Sequence, residues 1–373
     1  MTSALGFRLF MRDAARSALA VAGIAVAVLI VFVEMGFMNG VIDSHLRIVE
    51  AARGDLVLLD ARRNHLNKWD ELLAIRLPQI RTVEGVDAVS AVYQAGKTFR
   101  SAPDQPDHRI VVIAFPPDDP PLELGWSEDT LALLRRPGTV LIDRLSRSIY
   151  GELKPGQDVW LDGHLMRLGG FVSLGPTIVI DGTMVMSEST FRSLEPDGGP
   201  EMAVVRVAAG SDRAQVKARI AGLTGDTVQV FSKRELAERE SGYLMRVAPL
   251  GLLFGAGMTA GLFVGVVICY QVLYVAIRRR LKAYATLKAM GFGNVFLLRT
   301  VLEQAWAMGF IGYAIGLALA AVAYQSLAAH TGLLIELNWV RCVSVAAACL
   351  VACTVAGAIA ALKAMRTPPA ELF

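Results

Sequence analysis

No aspartate, glutamate, lysine or arginine occurs between Val247 and Ile277, and none between Gln304 and Ile335. Charge is scarce throughout: 19% of the 373 residues carry it, against 54% that are hydrophobic. A helix crosses the roughly 30 Å apolar layer of a bilayer with about 20 apolar residues. Runs of this length and purity exclude a wholly water-soluble chain.

Cysteine is equally sparse. Cys269, Cys342, Cys349 and Cys353 are the whole complement, and each lies in an apolar run. That excludes a disulfide framework and any thiolate metal spacing. Cys342, Cys349 and Cys353 share a helical face and read as small packing residues. The histidines, His45, His65, His108, His164 and His330, never pair at ligand spacing. There is no G-x-x-x-x-G-K-S/T loop, no H-E-x-x-H and no G-x-S-x-G. The expectation is a non-catalytic chain with no metal and no cofactor of its own. Basic residues of the polar region are interleaved with acids, which argues against nucleic acid.

What is present is four apolar windows: Ser17 to Phe37, Ala248 to Ile277, roughly Val301 to Leu327, and Cys342 to Leu362. Basic clusters precede the first (Arg8, Arg12, Arg16), follow the second (Arg278, Arg279, Arg280, Lys282) and follow the fourth (Lys363, Arg366). With four spans all three fall on one side, which the positive-inside rule makes cytoplasmic. The first run is too long for a cleaved signal and reads as a retained anchor. The expected plan is a cytoplasmic segment 1–16, a first span and stalk helix 17–54, and a periplasmic domain 55–231. A second stalk helix and span follow at 232–278, then a cytoplasmic loop 279–296, a third span 297–328, a short outer loop 329–338, a fourth span 339–362 and a cytoplasmic tail 363–373.

The large domain reads as βαβ, insertion, βαβ. "DLVLLD", an amphipathic helix in "NKWDELLAIRLPQIRTVEG" and the strand "VDAVSAVYQAGKTF" form the first half. "MAVVRVAA", a helix in "SDRAQVKARIAGL" capped by Ser211, and "DTVQVFS" form the second. The expected fold is a split ferredoxin-like α+β module, 55–100 and 201–231, with a β-rich insert at 101–200. Strands in the insert are expected at "HRIVVIAF", "GTVLID", "DVWLDG", "LMRLGGFV" and "GTMVM". Asp118 and Asp119, beside prolines, read as a solvated turn.

"SKRE" matches a capping box, with Ser232 and Glu235 as its reciprocal partners. No breaker follows until Pro249, so one helix is expected from Lys233 through Ile277, kinked near Pro249. The first helix stays unbroken to Gly54. Both would extend about 20 Å beyond a core of about 30 Å and form a stalk. Glu34, near the outer end of the first span, reads either as a snorkelling carboxylate at the stalk base or as a substrate or proton contact. Glu303 and Arg299 read as an interfacial pair. Gly257, Gly261 and Gly265, with Gly312 and Gly316 and the pair Gly36 and Gly40, recur every four residues. They suit close helix packing, within the chain or at a dimer seam.

Between the second and third spans lies "YATLKAMG", Tyr284 to Gly291: good helix formers ended by glycine. The wider stretch "YQVLYVAIRRRLKAYATLKAMGFGN", Tyr270 to Asn294, resembles DevC-type permeases, the membrane subunits of ABC exporters in the MacB/FtsX superfamily. The resemblance extends to "VAGIAVAVLIVFVEMGF", "FPPDDPPLEL", "GVVICYQVLY" and the terminal "RTPPAELF". Departures are Val275-Ala276, where the family commonly has an acidic residue, and Pro368-Pro369-Ala370, where it has Asp-Pro-Ala.

The resemblance implies a coupling helix formed by Tyr284, Ala285, Thr286, Leu287, Lys288, Ala289, Met290 and Gly291, docked in an ABC ATPase subunit that holds the ATP and magnesium. It also implies a homodimer in the bacterial inner membrane, in contact with membrane lipid. A periplasmic adaptor and a TolC-like outer-membrane channel would be further partners, and export of a lipid-like or amphiphilic substrate would proceed by mechanotransmission. The alternatives are an FtsX-like scaffold that activates a cell-wall hydrolase, and a lipoprotein-extraction permease.

Overall fold

The computed structural model describes residues 14–66, 68, 72, 74, 76–175, 181–247, 249–279, 290, 293–331 and 335–365. The chain divides into two units. One comprises Met1–Asn39, Pro249–Ala329 and Ile335–Phe373; the other comprises Gly40–Ala248 and His330–Leu334.

In chain order the elements are α1 (Ala14–Glu50), β1 (Leu56–Asp60), α2 (Arg76–Arg81), β2 (Val86–Arg100), β3 (His108–Phe115), α3 (Glu128–Leu134), β4 (Thr139–Asp143), β5 (Asp158–Leu161), β6 (His164–Val172), β7 (Thr183–Ser187) and α4 (Glu188–Leu194). Then come β8 (Met202–Val207), α5 (Arg213–Thr224), β9 (Val228–Ser232), α6 (Lys233–Arg246), α7 (Leu250–Arg279), α8 (Asn294–Thr331) and α9 (Trp339–Met365).

In the second unit, β9, β1, β8 and β2 lie side by side, all antiparallel. Numbered through the two βαβ halves, this is the 4-1-3-2 order of the ferredoxin-like module that the sequence suggests. Side chains alternate across the pleat. Leu56, Leu58, Val205 and Val230 face one way and pack with Leu77 and Ile80 of α2 and Val216 and Ile220 of α5. Val57, Leu59 and Val204 face the other way and pack with Val49, Ala52 and Leu236. The end of α1 and the start of α6 therefore line the second face of the sheet.

The five strands of the insert close with β2 into a ring of six, β2–β3–β7–β4–β6–β5 and back to β2. β3 runs parallel to β7 and β4 to β6, while the remaining pairs are antiparallel. Phe99, Ile110, Val112, Val140, Leu161, Leu168 and Met184, all buried, belong to its core. Closure removes the free sheet edge. Asp118 and Asp119 are the expected turn carboxylates: Asp118 pairs with Arg135 at 2.8 Å, and Asp119 with Arg206 at 3.2 Å.

Three local expectations are corrected. Among the described residues, the helix expected across "NKWDELLAIRLPQIRTVEG" is confined to Arg76–Arg81, where Pro78 sits in the first turn, a position that tolerates it. The cap of α5 is Asp212, not Ser211; its carboxylate accepts from Ala214 N–H at 2.9 Å. The helix expected from Lys233 through Ile277 is two helices. Pro249 supplies no N–H and disfavours helical backbone in the residue before it, so α6 ends at Arg246 and α7 begins at Leu250.

Among the described residues, four helices are long and apolar enough to cross a membrane, and they lie wholly or mostly in the first unit: Ser17–Glu50, Leu250–Arg279, Asn294–Thr331 and Trp339–Lys363. Glycines of that unit hold α1 between two neighbours. On the α7 side, a methyl group built on Gly261 would lie 3.1 Å from Ile30, and one on Gly265 would lie 3.0 Å from Ala27. On the α8 side, Gly312 and Gly316 abut Ile24 and Val28, where added methyls would stand at 2.7 Å. Tyr324 of α8 donates its hydroxyl to the Phe32 carbonyl at 2.5 Å. α9 closes on α8 where Cys353 meets Gly309. The four cysteines are free thiols, three of them buried.

Candidate functional site

Two helices of the second unit place a polar residue in the middle of an apolar stripe. On α1 the buried sequence is Val41, His45, Val49; on α6 it is Leu236, Glu240, Leu244. Both have spacing four, one helical face. His45 and Glu240 meet. The Glu240 carboxylate is wholly buried, and its Oε2 lies 3.1 Å from Nε2 of His45. The same oxygen accepts the Leu66 N–H at 2.9 Å. One carboxylate thus holds α1, α6 and the loop after β1 together.

That loop is fastened at further points. Arg63, 0% exposed, donates to the Glu201 carbonyl and to the Leu66 carbonyl, both at 2.6 Å. Arg239 of α6 donates to the Arg63 carbonyl and to Gln229 Oε1 at 2.7 Å, and lies 4.8 Å over the Phe231 ring. Gln229 returns a bond of 2.8 Å to the Ala61 carbonyl. The His65 ring stacks on Tyr243 at 4.3 Å. Burial holds the His65 pKa below its ordinary value, and nearby Glu240 opposes this.

The α6 N-terminus is anchored separately. Ser232 accepts from Glu235 N–H at 3.3 Å, and Glu235 accepts from Ser232 N–H at 2.7 Å, the reciprocal box. Lys217 donates to both Glu235 oxygens at 2.6 Å, which pulls the Glu235 pKa down to about 2.

Elsewhere, Glu34 of α1 is half-buried, with its carboxylate laid against Gly257, where an added methyl would stand 2.5 Å away. Pro249 is exposed between α6 and α7. Arg299 pairs with Glu303 at 3.2 Å. Of the segment Tyr284 to Gly291, Met290 is an exposed turn residue; the other seven positions lie outside the described residues. Sequence reasoning names Ser232 and Glu235 but misses His45, Glu240, Arg63 and Arg239. The available signal is a polar residue in the middle of each of two apolar stripes. Among the described residues, no His, Cys, Asp or Glu group could hold a metal ion.

The clasp leaves the buried atoms Glu240 Oε1 and His65 Nδ1 without a hydrogen-bond partner among the described residues. It can carry force, because displacing either helix means breaking buried polar contacts.

Residues 17–223 match the family model of the MacB-like periplasmic core domain, and residues 255–369 that of the FtsX-like permease C-terminal region. No curated protein matches the chain significantly. Among solved structures, the extracellular domain of the noncanonic ABC-type transporter YknZ from Gram-positive bacteria is similar at 15% identity and TM-score 0.35, over 48% of this chain and 98% of that one. The periplasmic region of MacB from Actinobacillus actinomycetemcomitans is similar at 10% identity and TM-score 0.38, over 50% and 92%. The first family match alone takes in more than half of the chain and the second spans most of the apolar remainder, so this protein belongs to the MacB/FtsX family of membrane permeases.

Proposed function

We propose that this chain is the DevC-type permease subunit of a tripartite ABC efflux system and works by mechanotransmission. A separate ATPase subunit binds ATP and magnesium and docks on Tyr284 to Gly291. The permease acts as a homodimer in the bacterial inner membrane. Its α/β domain engages a periplasmic adaptor leading to a TolC-like channel, and the exported compound is lipid-like or amphiphilic.

The observation that carries this reading is the continuity of α1. Its 37 residues run unbroken from an apolar span to the turn that packs under the sheet. At 1.5 Å per residue that is about 55 Å of helix. Its far end is fixed by the buried His45–Glu240 contact. A helix without a break supports the lever reading.

The test is three glycines inserted after Asn39. Glycine removes the stiffness of the helix. Membrane insertion and ATPase binding are expected to persist, while export and the ATP-dependent change in limited proteolysis of the α/β domain disappear. Wild-type export by that variant overturns the lever.

A further inference from the structure

Tyr270, Tyr274 and Arg278 follow one another at spacing four on α7, and their side chains form a ladder. The two tyrosine rings stack at 5.7 Å, and the Arg278 guanidinium lies 6.0 Å from the centre of the Tyr274 ring. Lys363 joins the ladder from α9. Its ammonium lies 5.1 Å from the Tyr274 ring centre and 5.8 Å from that of Tyr270. Arg278, Arg279 and Lys363 are all exposed. Among the described residues, no carboxylate pairs with Arg278 or Arg279.

From this geometry we propose that the ends of α7 and α9 form a binding seat for an anionic phospholipid headgroup. Both helices are apolar enough to span a bilayer, and both end at this cluster. The tyrosines lie where a membrane protein meets headgroups, since an aromatic ring with a polar tip settles at that level. Cation–π contact holds Lys363 and Arg278 in place before any ligand arrives, which reduces the ordering cost of binding. A phosphodiester offers the complementary charge and acceptor oxygens for two cations and two phenol hydroxyls.

A simpler role also acts on these cations. The C-terminal ends of α7 and α9 carry partial negative charge, and basic residues there oppose it and fix topology. That role needs neither tyrosine and does not draw a lysine from one helix onto the rings of another. A lipid seat requires both features.

The experiment uses the full-length chain, delipidated in neutral detergent, titrated with dioleoylphosphatidylglycerol or with dioleoylphosphatidylcholine. Thermal unfolding is the readout. Phosphatidylglycerol is expected to raise the midpoint saturably, with phosphatidylcholine much weaker. Lys363→Gln and Arg278→Gln should each lower the apparent affinity about fivefold, and the double variant about 25-fold. Lys363→Arg should keep the affinity, which separates lost charge from lost fold. Arg299→Gln, at the start of α8, should change nothing. The seat is overturned if Arg299→Gln weakens binding as much as Lys363→Gln, if phosphatidylcholine serves equally, or if the double variant retains full affinity. Inorganic phosphate is the remaining arm; a stabilisation as saturable as that by phosphatidylglycerol assigns the site to a free anion and also overturns it.

Discussion

Glu240 Oε2 lies 3.1 Å from His45 Nε2, a contact between residues 195 positions apart that joins two helices under one sheet. Burial makes the pair sensitive to the loss of one partner and tolerant of the loss of both. Glu240→Leu leaves His45 and the Leu66 N–H without their acceptor, at a cost of about 3–5 kcal/mol. The double variant His45→Leu/Glu240→Leu should recover much of that loss, because apolar groups of similar size often replace a buried pair without penalty. Urea unfolding in detergent, followed by intrinsic fluorescence, tests this. A double variant that loses the sum of the two single losses refutes the direct coupling.

His65 is expected to make the domain acid-sensitive. Its folded pKa is held below the ordinary 6.5, chiefly by burial. The unfolded chain therefore takes up a proton first as pH falls. The stabilising contribution is complete above about pH 6.5 and declines below it. His65→Phe keeps a ring for Tyr243 and cannot titrate. Its melting temperature should fall less than wild type between pH 7 and pH 5; equal slopes would remove His65 from the account.

The glycines of the first unit differ in what an added side chain meets. At Gly316 a methyl would stand 2.8 Å from the Ala25 carbonyl and 2.7 Å from Val28. At Gly255 there is nothing within 4 Å. Gly316→Val should lower stability by about 1–3 kcal/mol through overpacking. Gly255→Ala should be neutral or gain up to about 1 kcal/mol from helix propensity. Thermal melts of the two variants in one detergent compare them directly, and equal effects contradict close packing of α1 on α8.

Orientation is open to labelling. In a cysteine-free background, a cysteine at Asp197 should react with an impermeant thiol reagent on intact cells. One at Lys282 should react only after the membrane is permeabilised. The reverse pattern discards the arrangement drawn from the basic clusters.

ATPase docking predicts a contrast between two neighbouring substitutions. An apolar side chain in a partner groove contributes roughly 1.5–3 kcal/mol, about ten- to hundredfold in affinity. Leu287→Asp should therefore insert normally and lose the ATPase on purification. Arg279→Ala should retain it. If the losses are exchanged, the basic cluster is the dock.

The strands of the insert are legible because each is a short run of β-branched and apolar residues between turn residues. The same signal places β1, β8 and β9. Pairing is not legible: β3 lies beside β7 across an intervening α3 and three strands, and closure of the ring depends on contacts that no local pattern encodes. The helix ends divide in the same way. Ser232 and Glu235 interact over three residues, and their box follows from spacing alone. His45 and Glu240 each interrupt an apolar stripe, but that the two meet is settled only by the fold. Pro249 was visible, but whether it kinks or ends a helix is decided by the chain around it.

The six-stranded ring leaves the four-stranded sheet through β2 and returns to it at β8, and these two strands pair with each other. An insertion whose entry and exit are adjacent can be enlarged, trimmed or exchanged while the flanking strands keep their neighbours. The segment between β2 and β8 is thus the part of the fold most open to change. New surfaces can be built there while the four-stranded sheet and the helices packed on it keep their contacts.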